Sequence, residues 1–270
     1  MDFGDIPQRG LVLLGCGKMG GAMLEGWLSQ GLPASAVHVI DPNAPDWVAA
    51  RGVSVNHTLP SNPAIMVVAV KPQMMGDALP SIQGYGNGET VLLSIAAGTK
   101  IAAFEAVFGL KTPIVRAMPN TPAAIAQGIT AYCRNAHVSD ERLELARALL
   151  CAVGKTVELE SEAQIDAVTG VSGSGPAYVF HMIECMADAG VAQGLPREMA
   201  MELAVATVAG AGALAAASEE SATQLRINVT SPNGTTGAAL EVLMDAENGF
   251  PALLNRAVAA AADRSRELGA

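Results

Sequence analysis

Leu11-Val-Leu-Leu-Gly15-Cys-Gly17-Lys-Met-Gly20 opens on four apolar residues and closes on three glycines. The apolar run reads as a short strand buried on both faces. Residues 18–29 carry Met19, Met23 and Trp27 four apart, with Leu24 and Leu28 beside them. That spacing predicts a helix with one apolar stripe. A Gly-x-Gly-x-x-Gly pattern between a strand and a helix is the setting in which such glycines seat a dinucleotide. Gly15 allows the tight turn, Gly17 lets the backbone approach a pyrophosphate, and Gly20 lets helix and strand pack closely. The helix N-terminus, with Cys16, Lys18 and Met19, then faces the phosphates. The competing reading is a Gly-rich turn without a ligand, which the strand-turn-helix setting disfavours.

Outward from this unit, short apolar runs alternate with helical stretches. Residues 37–40, 65–70 (IMVVAV) and 91–95 (VLLSI) read as strands, with weaker candidates at 114–117 and 129–132. Ser139 can cap a helix with Asp140 and Glu141 in its first turn and Gly154 at its end, and residues 155–159 read as a last strand. Alternation of this kind predicts an α/β domain with a parallel-rich sheet. Beyond about residue 160 the strands stop. Ser161-Glu-Ala-Gln164 is a capping box, and helices are expected from Pro176 to Gly194, from Pro196 to 217, and over 221–229, 236–246 and 251–267. The expected division is a dinucleotide-binding domain over 1–162 and an all-helical substrate and dimerisation domain over 163–270. Residues 199–217 are very apolar and rich in Ala and Gly, yet contain Glu202 and lack basic flanks. They read as a helix buried between subunits rather than a membrane span.

Half of the 270 residues are hydrophobic, 16% are charged, and the formal net charge is -10. An acidic surface of this kind argues against nucleic acid and anionic membranes as partners. Cys16, Cys133, Cys151 and Cys185 are scattered, as are His38, His57, His137 and His181, so no metal site is expected from spacing. Unpaired cysteines, and no basic stretch leading into an apolar run at the N-terminus, point to the cytoplasm.

Several further stretches bear on chemistry. Asp41 follows the second strand, about 20 residues beyond the glycines, where an acid bonds a ribose hydroxyl and disfavours a 2′-phosphate. Asp41-Pro-Asn43 is equally a turn sequence, and both readings stand. Val70-Lys71-Pro72 closes an apolar strand at the end where ligands bind, although a strand-end lysine is ordinary by itself. Ala96-Ala97-Gly98 follows the next strand and leaves room for a nicotinamide ring. Arg116-Ala-Met118-Pro-Asn120-Thr-Pro122 makes a stiff loop after a fifth strand, a candidate wall of the site. In the helical half, Gly170–Tyr178 and Thr230–Gly237 set Gly/Ser/Thr loops against helix N-termini. Each is either an anion nest suited to a carboxylate or a capped interhelical turn.

Taken together, GCGKMG, VAVKP, SIAAG, RAMPNTPA, GVSGSGPAYVF and TSPNGTTGAALEVL occur in an order that resembles the pyrroline-5-carboxylate reductase family over nearly the whole chain. The last motif is the most specific. The resemblance implies a Rossmann-like domain followed by a helical domain that interlocks two subunits, as a homodimer or an assembly of dimers. It implies NADPH or NADH as cofactor, and a cyclic imino acid reduced to proline. It implies a substrate cradle at Ser231, Gly234, Thr235 and Thr236, joined by Ser174 and Gly175, with Thr236 on the ring nitrogen. Asn56 matches an asparagine that meets the cofactor's ribose or phosphate. Two positions depart from the pattern. Asn233 stands where glycine is usual, and Asp41 replaces the polar or basic residues of NADPH users. A reductase of a related six-membered imine, or a dinucleotide-binding regulator without catalysis, are the alternatives. The intact substrate motif speaks against the latter.

Overall fold

The computed structural model of this chain describes residues 2–269. Eight strands form one sheet in the order β3-β2-β1-β4-β5-β6-β7-β8. They are β1 (Leu11–Leu14), β2 (Val37–Ile40), β3 (Ser54–Val55), β4 (Ile65–Val68), β5 (Val91–Ser94), β6 (Ile114–Met118), β7 (Gly128–Arg134) and β8 (Gly154–Glu158). The helices are α1 (Ile6–Arg9), α2 (Lys18–Ser29), α3 (Asp46–Ala50), α4 (Met75–Ala78), α5 (Ile101–Phe108), α6 (Asp140–Cys151), α7 (Ile165–Val168), α8 (Gly175–Ala192), α9 (Arg197–Ala217), α10 (Ala222–Asn228), α11 (Thr235–Leu243) and α12 (Phe250–Leu268).

All pairings in the sheet are parallel except β6 with β7. Only residues 119–127 join those two strands, with a single 3-10 turn at Thr121–Ile125. A parallel return needs a crossover of a dozen or more residues, so the short link forces β7 to run back. The central strands bury both faces, which explains their unbroken apolar runs. Leu11 and Leu13 join Val39, Val67 and Trp27 in one core, while Val12 and Leu14 join Met66, Val68 and Phe104 in the other. Trp27 is fully buried on α2, and its indole N–H donates to Leu149 O at 2.9 Å.

Packing divides the chain into two compact units. The first holds the residues up to Gly173 together with those from Ala261 onward; the second is Ser174–Ala260. The boundary drawn from composition after residue 162 differs from this one for a physical reason. Ile165 is 1% exposed and belongs to the sheet's second core, so α7 packs with the strands although it is helical. Two expectations about single elements are corrected. Gly154 does not end the preceding helix; α6 ends at Cys151, and Gly154 begins β8 with φ +143° against the backbone of Gly128, where a side chain has no room. The stretch after Gly170 is not a flexible loop, because Thr169–Gly173 form a π-helical turn that runs almost directly into α8. Thr169 Oγ1 donates to Ile165 O and Ser172 Oγ to Val168 O, which holds that turn tight.

The second unit contains α8, α9, α10, α11 and the first part of α12, with no strand among its described residues. An 18-residue window of α9 has a mean hydropathy of 1.6 with 11% of it buried, so the helix is long and apolar enough to cross a membrane by length and composition alone.

Candidate active site

In the first unit, four loops leave the carboxyl edge of neighbouring parallel strands. Backbone bonds continue the ladder beyond the strands: Gly15 N–H donates to Ile40 O (2.9 Å), Ala69 N–H to Leu14 O (2.8 Å) and Ile95 N–H to Val68 O (3.0 Å). The sheet order places the β1 loop between those of β2 and β4, the switch point at which such sheets bind ligands. Gly15 takes φ +92°, and a Cβ there would lie 2.9 Å from Val70 Cγ1 and 3.0 Å from Ala69 O. A Cβ on Gly20 would overlap Gly15 O and approach Ala69 Cβ to 3.2 Å. Gly17 differs from both. It is exposed, and a Cβ there would meet no atom within 4 Å. Gly17 is also the N-cap of α2 and offers no side chain to its amides. An open surface over an uncapped helix end fits a dinucleotide's pyrophosphate.

The carboxylate of Asp41 closes the local turn and also reaches the glycine loop. Its Oδ1 accepts from Asn43 N–H (2.8 Å), closing the local turn, and its Oδ2 accepts from Cys16 N–H (2.6 Å), bracing the glycine loop. Asn56, at φ +55°, accepts from Asp41 N–H through Oδ1 (3.1 Å) and donates from Nδ2 to Asp41 O (2.9 Å). Asn120 is similarly engaged: its Oδ1 accepts from Ile129 N–H at 2.9 Å, which aligns the start of β7. Lys71 is exposed and precedes the turn Pro72–Met74, Val70 lies against the Gly15 turn, Ala96 and Gly98 are buried, and Ala97 is half-buried. Met118 contacts the π-helical turn, since a Cβ on Gly173 would lie 2.6 Å from its Cε. Lys18 is exposed, Met19 half-buried, and Cys16 buried. Burial, and then the nearby Asp41 carboxylate, push the Cys16 thiol up to about 11.

In the second unit, Thr230–Gly237 turns into α11. Thr230 Oγ1 donates to Arg226 O at 2.7 Å and Gly234 N–H to Ser231 O at 3.1 Å. Asn233 takes φ +57°, so it keeps the left-handed conformation that glycine would supply. Gly234 is the N-cap of α11, carries no side chain to cap it, and has Ser231 Oγ where its own Cβ would stand. Thr235 and Thr236 therefore open a helix whose first amides lack a side-chain cap, with Thr236 half-buried and Ser231 and Thr235 exposed. Ser174 caps α8 in helical conformation without a side-chain bond, and Gly175 is its first residue.

Residues 162–268 match the family described as pyrroline-5-carboxylate reductase dimerisation, and residues 10–98 the family described as NADP oxidoreductase coenzyme F420-dependent. The chain is 42% identical over 264 residues to a pyrroline-5-carboxylate reductase of Pseudomonas aeruginosa, with 96% of each chain covered. This chain belongs to the pyrroline-5-carboxylate reductase family. Solved structures agree. A pyrroline-5-carboxylate reductase from Coxiella burnetii superposes with a TM-score of 0.88 at 31% identity, covering 97% of this chain and 99% of the other. A pyrroline carboxylate reductase of Plasmodium falciparum with NADP bound gives 0.85 at 30% identity, covering 98% and 99%.

As a pyrroline-5-carboxylate reductase, the chain combines a Rossmann-like sheet with the family's dimerisation domain. Its strand-end loops are supported by residues that motif matching does not single out. Arg116, 4% exposed on β6, donates from Nη1 to Glu162 Oε1 at 2.6 Å, and the same oxygen accepts from Ile101 N–H at 2.8 Å. This pair ties the end of β6, the start of α5 and the entry to α7 together. Arg116 was visible within RAMPNTP, but Glu162, in a capping box distant in sequence, was not. A buried arginine on a strand is the signal that would have prompted a search for its acid.

Proposed function

We propose that this chain reduces 1-pyrroline-5-carboxylate to L-proline with a reduced nicotinamide dinucleotide, in the cytoplasm, as a homodimer. The reading is carried by the open, exposed Gly17 over the uncapped N-terminus of α2, in a chain of this family that also bears the TSPNGTTG stretch. When bound, the dinucleotide supplies hydride to the imine carbon. The protein's part is placement and charge. The amides at the start of α11, with Ser231 beside them, hold the substrate carboxylate, since a helix N-terminus favours an anion. Thr236 donates to or accepts from the ring nitrogen and relays a proton to it from water, so that the C=N bond takes up hydride at carbon and a proton at nitrogen. Ser174 and Gly175 line the substrate. Asn56 and Asp41 stand at the ribose, with the Asp41 carboxylate disfavouring a 2′-phosphate, so NADH is expected to outperform NADPH.

The apolar surface of the second unit supports dimerisation. Phe180, Leu203, Leu214, Val242, Leu253 and Leu254 are all exposed in the single chain, and a monomer rarely leaves that much apolar surface open. The test is absorbance of each reduced cofactor during reduction of pyrroline-5-carboxylate by wild type and Thr236→Ala. The expected result is a fall in kcat of about 100-fold for the variant, within the range for lost proton transfer, with cofactor affinity unchanged. Unchanged turnover removes Thr236 from the mechanism, and no oxidation of either cofactor by the imine removes the reaction.

A further inference from the structure

The loop that follows β5 is backed by the far end of the chain. Gly98 has φ +78°, and a Cβ there would stand 3.0 Å from Leu268 Cβ and 3.3 Å from both Leu268 C and Leu268 O. From the opposite side, a Cβ on Gly269 would stand 2.5 Å from Gly98 O and 3.3 Å from Lys100 Cε. The two segments thus approach too closely for a side chain on either glycine, Leu268 Cβ and its backbone lying against Gly98. The last turns of α12 are anchored independently. Ser265 is 4% exposed and donates from Oγ to Asp166 Oδ1 at 2.6 Å, and Ala262 is 5% exposed. The loop's ends are fixed as well, Ile95 N–H on Val68 O and Ile101 N–H on Glu162 Oε1. Between those ties Ala96 packs into the sheet's second core, whereas Ala97 is half-buried and Gly98 has no side chain to anchor it. Leu268 and Gly269 supply that anchor.

We infer that the end of α12, from Ser265 to Gly269, is a positioning clasp for the loop Ile95–Gly98 and sets the seat of the dinucleotide's nicotinamide end. This rests on the reading that the small residues Ala96–Gly98 leave room for the nicotinamide ring and so wall it on one side. Leu268 and Gly269 are positioning residues that act through Gly98. Loss of the clasp widens the loop's range of conformations, so that binding must order it again.

The experiment uses the full-length enzyme, a chain ending at Glu267, Leu268→Met, and Ala97→Leu. Ending at Glu267 keeps the Ser265–Asp166 bond and most of α12. The expected result is a cofactor KM raised about tenfold, with the imine KM within about twofold and Tm within about 2 °C of wild type. Leu268→Met, which keeps the backbone and Cβ, should behave as wild type. Ala97→Leu fills the space assigned to the ring and should raise cofactor KM by at least about tenfold. If Ala97→Leu leaves cofactor KM unchanged, the wall reading fails and the clasp with it. If Ala97→Leu impairs binding while the shortened chain keeps wild-type cofactor KM, the wall stands and the clasp is wrong. A shortened chain that loses Tm and worsens both KM values alike also overturns the clasp, since the end of the chain would then be merely structural.

Discussion

Gly17 and Gly20 sit three residues apart in one motif, yet substitution by alanine should affect opposite properties. At Gly20 the added methyl would overlap Gly15 O, a backbone atom in a turn held by the Gly15 N–H···Ile40 O bond. It cannot rotate away, so α2 must retreat from β1. Overpacking of this kind costs about 1–3 kcal/mol, offset by about 0.5–1 kcal/mol from replacing a helical glycine. A net loss of about 1–2 kcal/mol corresponds to a Tm lower by roughly 2–8 °C at this chain size. At Gly17 the backbone is extended (φ -72°, ψ -159°) and a Cβ meets nothing within 4 Å. The reduced entropy of the unfolded chain gains about 0.4–1 kcal/mol, and a poorer N-cap returns some tenths, so stability should be nearly unchanged. What the methyl does occupy is the space into which a pyrophosphate would settle. Cofactor affinity should therefore fall at least tenfold, about 1.4 kcal/mol. Thermal unfolding of both variants, with titration of reduced nicotinamide fluorescence, separates the two effects. A Gly17→Ala protein that binds either reduced cofactor as tightly as wild type would refute the seating of the dinucleotide on this turn.

Two further outcomes follow from buried side chains. Trp27→Ala should cost about 3–5 kcal/mol, because it empties a fully buried site and strands the Leu149 carbonyl that accepts its indole N–H; chemical denaturation measures the loss. Burial raises the thiols of Cys16 and Cys133 to about 11. A group whose folded pKa lies above its unfolded value stabilises the protein below the unfolded pKa and loses that effect as pH rises through the folded one. Stability should therefore decline between about pH 9 and 11, and a Cys16→Ala, Cys133→Ala double variant should show a shallower decline in denaturant titrations across that window.

The elements legible in the sequence are those set by local pattern. The β1-turn-α2 unit has the bounds its glycines and apolar stripe predict, and α8, α9, α10, α11 and α12 begin within a residue or so of their Pro, Ser and Thr signals. Elements set by partners were not legible. β3 is only Ser54–Val55, a pair that is a strand because β2 offers an edge. Gly154 carries a helix-ending residue type, but the backbone of Gly128 opposite it decides its role. The run of Gly and Ser after Gly170 looks flexible by composition, while the Thr169 and Ser172 hydroxyls close it into a helical turn.

The same distinction explains the site. Polar side chains that the resemblance sends toward the cofactor also hold the backbone: Asp41 accepts from Cys16 N–H, Asn56 bonds both the N–H and the C=O of Asp41, and Asn120 accepts from Ile129 N–H. Each of these bonds fixes a loop, and under the proposed function its ligand-facing surface would be made largely of amides and small residues. That division suits a reaction in which the cofactor carries the electrons. Rigid amides impose geometry with little entropy left to lose on binding, whereas long polar side chains would have to be ordered at each turnover. It also predicts where substitutions hurt: removing the Asn120 carboxamide should disturb the loop through β7 before any ligand arrives, while Gly17, which bonds no side chain, should disturb only the ligand.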